Sequence, residues 1–155
     1  MIEGLRRLPL RVSEDERGWF YELRRESALP KPTRQTNVSF SRRGVIRGLH
    51  YHERGQDDLF ACLRGTARVV VLDRSSGETF MEDIGEDNPV AIYIPGQNAH
   101  GFEALTDILF CYHVTVEYDP ADPDEHTVPW NDPRVAQLWS SSTPILSARD
   151  AAVES

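Results

Sequence analysis

Short apolar segments separated by glycine and proline turns run through this chain and limit what it can fold into. Runs such as Val69-Val70-Val71-Leu72 are rich in the β-branched residues that strands favour. Turn residues separate them, as at Ser75-Ser76-Gly77 and Pro95-Gly96. We find no long segment with the 3.6-residue period of an amphipathic helix. The pattern therefore predicts an all-β sandwich or barrel.

The same reading places the individual elements. The predicted strands cover residues 19–23, 35–41, 44–51, 59–63, 66–73, 90–94, 101–104 and 108–117. The acidic, proline-rich stretch 119–133 predicts a loop over the barrel, and short helical segments are expected at 132–139, capped by Asp132, and at 146–150. A length of 155 residues suits a single domain over 1–155, with a core at about 17–120 and a tail at 121–155 packed on the barrel.

Charge and composition exclude several functional classes. A net charge of −8 argues against nucleic-acid binding, which needs a basic surface. The apolar runs are too short for a membrane span, and the first residues lack the apolar stretch of a secretory signal. Cys62 and Cys111 lie in apolar runs typical of core positions, so a disulfide is not expected. We therefore expect a cytoplasmic protein with no membrane or nucleic-acid partner.

Three histidines lie at the ends of predicted strands and point to chemistry. His50 and His52 are two residues apart, so a strand would place both imidazoles on one face. His100, after the Pro95-Gly96 turn, can join them if the strands close into a barrel. Histidines at strand ends are also often ordinary, partly buried polar residues. A true cluster could bind a metal or move protons.

The spacing of these histidines resembles the two motifs of the cupin superfamily, whose members are small β-barrels that often bind Fe, Mn, Ni or Zn. The matching residues here are His50, His52, Asp58 (or Asp57) and His100. Imidazole and carboxylate donors suit those metals. The resemblance implies a cupin-like jelly-roll barrel. It leaves open a metal-dependent isomerase or dioxygenase that uses these four residues and a divalent metal as cofactor.

A longer stretch of the chain resembles the dTDP-4-dehydrorhamnose 3,5-epimerase family, whose members are cupin-type barrels. The matching segments, in the same order, are Asp15-Glu16-Arg17-Gly18-Trp19-Phe20-Tyr21-Glu22, residues 35–41, residues 44–51, residues 95–102, Tyr112 and Trp130-Asn131-Asp132-Pro133. The resemblance implies an isomerase of deoxysugar biosynthesis that epimerises a dTDP-linked 4-keto-6-deoxyhexose, usually without a metal. It favours no cofactor here and predicts a homodimer.

The resemblance also implies roles for particular residues. His50 is the base that takes the proton alpha to the ketone, Tyr112 is the opposing acid, and Asp150 hydrogen-bonds the base. His100 lines the site near the substrate, and Arg47 binds the diphosphate or the sugar. The positions expected to hold the thymidine nucleotide, some of them across a dimer interface, are Arg17, Phe20, Glu22, Gln35 and Asn37.

Two positions near the expected substrate depart from the family pattern. His52 stands where the family typically has Gln, and Asp58 where it has a lysine that helps stabilise the enolate. An anion in place of that cation repels the developing negative charge. Three explanations follow: a protonated His52 or His100 supplies the positive charge, the new His and Asp build a metal site, or the chain only binds a sugar nucleotide. The altered site favours epimerisation at one carbon.

Overall fold

A computed structural model describes residues 1–153 of the chain, so positions 154–155 of the predicted tail lie outside the described residues. The structure is almost entirely β, which confirms the predicted cupin-like barrel with short C-terminal helical segments. The helical elements are 3-10 turns at Glu26–Ala28 and Ala136–Leu138 and one helix, α1 (Ala148–Ala151). The strands are β1 (Arg6–Pro9), β2 (Ser13–Asp15), β3 (Gly18–Phe20), β4 (Gln35–Ser41), β5 (Ile46–Tyr51), β6 (Asp57–Arg64), β7 (Thr66–Leu72), β8 (Thr79–Gly85), β9 (Val90–Pro95), β10 (Ala99–Ala104), β11 (Ile108–Val114) and β12 (His126–Thr127).

Two five-stranded antiparallel sheets pack face to face around the main core. The first has the order β1-β9-β6-β11-β4 and the second β12-β5-β10-β7-β8, while β2 and β3 form a separate hairpin. Side chains at alternate positions point inward, so Phe60 and Phe110 of the first sheet meet Val69 and Phe102 of the second. The rings of Phe102 and Phe110 stack with their centroids 3.8 Å apart. This aromatic contact joins the two sheets within the core.

The tail covers the outer face of the second sheet. Leu49 and Leu72 of that sheet pack with Val135 and Trp139 of the tail in a second buried cluster. The buried Glu103 carboxylate accepts hydrogen bonds from the backbone N–H groups of the tail at Ser140 and Ser141 (2.7 and 3.0 Å). The single-domain organisation of the chain stays a prediction. These contacts between the tail and the barrel support it.

The N-terminal segment covers the outer face of the first sheet. Leu59 and Tyr93 form the centre of a third cluster, against which Leu8 and Leu29 pack. No helix in the described part of the chain is both long and apolar enough to cross a membrane.

Four strands were not predicted from the sequence: β1, β2, β8 and β12. Their sequences are polar or mixed because each lies at a sheet edge or in the hairpin, where little side-chain surface is buried. The predicted strand 19–23 is instead Gly18–Phe20 of the hairpin, and the predicted strand 108–117 ends at Val114. The helix predicted at 132–139 is only the 3-10 turn at Ala136–Leu138.

Candidate active site

A cleft of about 1070 Å³ opens between the two sheets and contains most of the residues selected from the sequence. His50 and His100 are direct cross-strand partners on β5 and β10, so both side chains point to the same side of the second sheet. Tyr112 pairs with the inward-facing Phe60 on the first sheet, and Asp58 lies two residues before Phe60 on the same face. The cleft therefore places histidines on one wall and a tyrosine and a carboxylate on the other.

Two glycines allow the histidine strands to approach closely. A Cβ atom on Gly48 would lie 2.7 Å from the Cα of Gly101, and one on Gly101 would lie 2.5 Å from the Arg47 carbonyl. Gly48 also has a φ of +139°, which L side chains rarely adopt. The strand register shifts between His100 and Phe102 at this point. The glycines thus set the bulge that holds His50 and His100 side by side.

His50, which is partly exposed, forms a dyad with the buried Asp150 in the lining of the cleft. Nε2 of His50 lies 2.8 Å from Oδ1 of Asp150, and the other carboxylate oxygen accepts from the Gly48 backbone N–H at 3.3 Å. Burial alone would raise the pKa of Asp150, but the hydrogen bond and charge of His50 outweigh it and the pKa is lowered. Because an ionised carboxylate only accepts, Nε2 carries the proton and Nδ1 is the nitrogen that can accept another.

Asp150 lies in the terminal helical turn but does not cap it. In the structure Ser147 is the N-cap of α1, and its hydroxyl accepts from the Asp150 backbone N–H at 3.1 Å. The Asp150 side chain is 3% exposed and points into the barrel at His50 instead. The helix therefore serves to present this carboxylate.

Tyr112 lines the opposite wall of the cleft. Its ring packs edge-on against Phe60, with the centroids 6.1 Å apart. Burial raises the pKa of Tyr112, while the nearby charge of Arg47 opposes the shift. A phenol with a raised pKa stays protonated at neutral pH, so it is available to donate a proton. His113, the next residue, faces away from the cleft, with Nδ1 2.7 Å from the hydroxyl of Thr36.

His52, Asp58 and His100 form a second buried cluster beside the dyad. Nε2 of His100 lies 3.3 Å from one Asp58 oxygen, and Nε2 of His52 lies 3.7 Å from the other. Burial opposes ionisation of both partners, but their mutual attraction outweighs it, so the pKa of His100 is raised and that of Asp58 is lowered. The pKa of His52 is lowered by burial and by the neighbouring His100.

The register of β6 decides between the two adjacent aspartates. Asp58 faces inward, whereas Asp57 faces outward and accepts from the Tyr93 hydroxyl at 2.6 Å and from the Gly96 backbone N–H at 3.1 Å. Lys31 lies 3.0 Å from the same carboxylate. Asp57 is thus a structural residue that joins β6, β9 and the N-terminal segment.

The residues expected to bind the nucleotide divide into two groups. Gln35, Asn37 and Arg47 line the cleft, and Arg47 is held by a 2.9 Å hydrogen bond from its Nε to the Ser41 hydroxyl. Arg17 and Phe20 lie on the β2–β3 hairpin and line a separate, shallow depression there. Glu22 forms a salt bridge with Arg25 at the surface. The structure of one chain therefore does not bring Arg17, Phe20 or Glu22 to the cleft.

Sequence reasoning missed three residues in contact with this machinery. Glu125 has its Oε1 3.5 Å from Nδ1 of His50 and is held by Arg149, whose Nη1 donates at 2.8 Å. Burial alone would raise the pKa of Glu125, but Arg149 and His50 lower it. Nη2 of Arg149 also lies 3.0 Å from Nε2 of His50. Since both atoms carry protons in the dyad described above, this is a close approach of two donors.

The third missed residue is Gln56, whose side-chain nitrogen lies 3.0 Å from Nε2 of His52 and 2.9 Å from Oδ1 of Asp58. Arg149 could have been selected because it precedes Asp150. Glu125 and Gln56 had no comparable signal, since each lies in a segment without strand or helix periodicity.

Comparison with known proteins gives a consistent result over the whole chain. A family model described as dTDP-4-dehydrorhamnose 3,5-epimerase matches residues 1–155. The chain is 38% identical to the spore coat polysaccharide biosynthesis protein SpsL of Bacillus subtilis (strain 168), over 91% of this chain and 98% of that protein. It is 37% identical to a dTDP-4-dehydrorhamnose 3,5-epimerase of Escherichia coli (strain K12), over 96% and 88% of the two chains. A crystal structure of the epimerase RmlC from Legionella pneumophila in complex with dTDP-4-keto-L-rhamnose superposes with a TM-score of 0.86 at 30% identity, covering 97% of this chain and 87% of that one.

Proposed function

This chain belongs to the dTDP-4-dehydrorhamnose 3,5-epimerase family, and we propose that it epimerises a dTDP-linked 4-keto-6-deoxyhexose in deoxysugar biosynthesis. One observation carries the proposal: the His50–Asp150 dyad and the Tyr112 hydroxyl lie on opposite walls of one cleft. Inversion at a carbon alpha to a ketone requires a base on one face and an acid on the other. This arrangement supplies both groups.

In the proposed reaction, Nδ1 of His50 takes the proton from the carbon alpha to the ketone. The electron pair of the broken C–H bond moves to the ketone oxygen and forms an enolate. Tyr112 then delivers a proton to the opposite face of the same carbon. His50 releases its proton to solvent and Tyr112 regains one from solvent, so the enzyme returns to its starting state. Asp150 holds the imidazole in the tautomer with Nδ1 free and stabilises the imidazolium that forms.

Glu125 also lies beside the base, His50. Its Oε1 lies 3.5 Å from Nδ1, the nitrogen that receives the proton, so it can help to hold the imidazole ring in position. Arg149 holds Glu125 in place through two hydrogen bonds, at 2.8 and 3.2 Å. In the proposed reaction the two residues position the base without contacting the reacting carbon.

Recognition of the nucleotide involves the mouth of the cleft. Arg47 is suited to the diphosphate because a guanidinium forms paired hydrogen bonds with phosphate oxygens. Gln35 and Asn37 offer amide groups on the same strand, and they are already linked by a 2.9 Å hydrogen bond. We propose that His52, Asp58 and His100 lie beside the ketone end of the sugar. Epimerisation at one carbon is the outcome we propose for this altered site.

A homodimer would complete the nucleotide site. Edge strand β4 exposes Val38 and Phe40 (59% each), and the projecting hairpin exposes Trp19 and Phe20 (55% and 66%). Such apolar side chains on a free sheet edge favour pairing with a second copy. The hairpin of that copy would bring Arg17 and Phe20 to the cleft. Light scattering tests this, and a monomer at working concentration would contradict it.

The cytoplasmic location expected from the sequence stays a proposal.

Hydrogen exchange tests the proposed activity directly. Incubation with dTDP-4-keto-6-deoxyglucose in D₂O should place deuterium at the epimerised carbon, and mass spectrometry and NMR identify which one. His50→Ala should abolish the exchange, whereas His126→Ala, a histidine on β12 with a 40% exposed side chain, should leave it unchanged. Undiminished exchange in His50→Ala would rule out the base. Binding of the nucleotide sugar with no exchange in the unmodified protein would indicate a non-catalytic binding protein.

A further inference from the structure

Glu125 places a carboxylate in the lining of the cleft, next to the proposed base. Its Oε1 lies 3.5 Å from Nδ1 of His50, the nitrogen that the dyad with Asp150 leaves free. Burial alone would raise the pKa of Glu125, but the hydrogen bond from Arg149 and the nearby His50 outweigh it and the pKa is lowered. The side chain is 25% exposed, so an ionised group faces the space that a substrate would occupy.

The Glu125 carboxylate keeps acceptor capacity that Arg149 does not use. Arg149 donates once to each oxygen, at 2.8 and 3.2 Å, and among residues 1–153 it is the one residue that donates to this side chain. The two oxygens of a carboxylate can together accept about four hydrogen bonds. A substrate that displaces water from the cleft without supplying a donor would leave this charge under-solvated, which is costly. The bound substrate should therefore offer a hydrogen-bond donor at this point.

Distances place that donor close to the carbon that reacts. The carbon that loses its proton must approach Nδ1 of His50 to about 3–3.5 Å. Oε1 of Glu125 is 3.5 Å from the same nitrogen. The carboxylate can therefore contact a substituent of the reacting carbon or of the next carbon along the ring. A hydroxyl group in either position can donate to it at the usual ~2.7 Å.

The chemistry of a 4-keto-6-deoxyhexose limits which group can face Glu125. The C4 ketone is unsuitable, because its oxygen accepts hydrogen bonds and becomes negative in the enolate, which a carboxylate repels. Reaction at C5 would place the C6 methyl group or the ring oxygen there, and neither is a donor. Reaction at C3 would place a hydroxyl group there, from C3 itself or from C2. The C3 hydroxyl changes face when that carbon inverts, whereas the C2 hydroxyl keeps its position.

We propose that Glu125 accepts a hydrogen bond from the C2 hydroxyl of the sugar and so selects C3 as the carbon that His50 deprotonates. The substrate class is then a dTDP-linked 4-keto-6-deoxyhexose with a free hydroxyl at C2. The contact is the same before and after inversion at C3, so it can hold the ring while the proton leaves one face and another arrives at the opposite face. This selectivity rests on the proposed function, whereas the contact itself can also be measured as binding.

A pair of substrates tests the contact. Deuterium incorporation in D₂O is compared for dTDP-4-keto-6-deoxyglucose and its 2-deoxy analogue, and calorimetry in a His50→Ala background gives their affinities without turnover. We expect deuterium at C3 and none at C5. The 2-deoxy analogue should show a kcat/KM lower by about 10–100-fold, the range of one hydrogen bond to a charged group.

Variants assign this preference to one side chain. Glu125→Ala should process the two substrates equally, and Glu125→Gln, which keeps the size of the side chain, should lose most of the preference. Glu78→Gln alters an exposed carboxylate that pairs with the N-terminus and should keep the full preference. Circular dichroism checks that each variant folds.

A purely structural role for Glu125 predicts a different result. If the residue only holds the imidazole ring, Glu125→Ala would slow both substrates by the same factor and leave their ratio unchanged, which would overturn the contact. Deuterium at C5, alone or together with C3, would overturn the selection of C3 and leave the proposed epimerase standing. Absence of exchange at both carbons would contradict the proposed epimerase. The affinity ratio then decides the contact: its loss in Glu125→Ala supports the contact, and an unchanged ratio overturns it.

Discussion

Asp150 and His50 lie 100 positions apart in the sequence, yet a 2.8 Å hydrogen bond joins them. The contact exists because the last helical turn, capped by Ser147, docks against β5 and directs the Asp150 side chain into the barrel. The carboxylate also accepts from the Gly48 backbone, so it links the end of the chain to the strand that carries the base. Removal of this single carboxylate should therefore affect catalysis more than folding.

Asp150→Asn should lower the rate of deuterium exchange by about 10²–10⁴-fold. The amide can donate to Nε2 of His50, which would move the imidazole proton to Nδ1 and remove the lone pair that takes the substrate proton. The measurement is the single-turnover exchange rate at saturating substrate. Asp132→Asn, which alters another aspartate of the tail, paired with Arg134, should change the rate little. A rate in Asp150→Asn within threefold of the unmodified enzyme would contradict the dyad.

Tyr112→Phe should separate the two halves of the reaction. The variant keeps His50 and can still remove the substrate proton, but the opposite face loses its proton donor. Inverted product should fall by about 10²–10⁴-fold, while exchange with retained configuration, in which His50 returns a deuteron to the same face, should persist. NMR of the product distinguishes the two configurations. Equal loss of both would mean that Tyr112 serves binding, and normal inversion would exclude it as the acid.

Glu103→Ala should destabilise the attachment of the tail. The buried carboxylate accepts from two backbone N–H groups and the Ser140 hydroxyl, and its loss leaves these partly buried donors without their partner. Urea denaturation should show a free energy of unfolding lower by about 2–4 kcal/mol. The matched change Glu78→Ala removes an exposed carboxylate and should cost less than about 0.5 kcal/mol. Similar losses in the two variants would show that Glu103 does not anchor the tail.

Alkylation should report the environment of Cys62. Burial raises the pKa of this thiol from 9.0 to about 11. Since the shift is upward, the thiol form persists until the pH approaches 11, and at pH 8 the reactive thiolate is about 100-fold rarer than in the unfolded chain. Reaction with iodoacetamide should be slower by at least that factor in the native protein than in urea, with mass spectrometry to locate the label. Native and denatured rates within tenfold of each other would contradict the buried position.

The sequence by itself determined the all-β class and the position of the central strands. Runs such as Val69-Val70-Val71 are buried on both faces, between the main core and the tail, and so their composition is dominated by apolar residues. The edge strand β8 was not predicted because charged residues interrupt its apolar pattern. Asp83 pairs with Arg68 of the neighbouring strand β7, and Glu82 pairs with Arg7 of β1 in the other sheet. A strand that is buried on both faces can be recognised from its apolar composition. An edge strand buries less side-chain surface and is much harder to recognise from its sequence.

Some of the candidate site residues could be identified from the sequence, whereas others depended on the structure. His50, Tyr112 and Asp150 were selected because the family resemblance places them, and the structure brings all three to the cleft. The choice between Asp57 and Asp58 depended on strand register. A shift of one residue reverses which side chain faces the core, and only the pairing of β6 with β9 and β11 fixed it.

Tertiary structure alone decided the contacts between distant segments. Glu125 beside His50, and the convergence of His52, Asp58 and His100, arise where a loop and three strands meet, and no local pattern encodes such a meeting. A strand's periodicity determines which side its residues face, because side chains alternate along the backbone. Which residues then share that side across the barrel follows from sheet order, register and bulges, and these are settled only when the whole core packs.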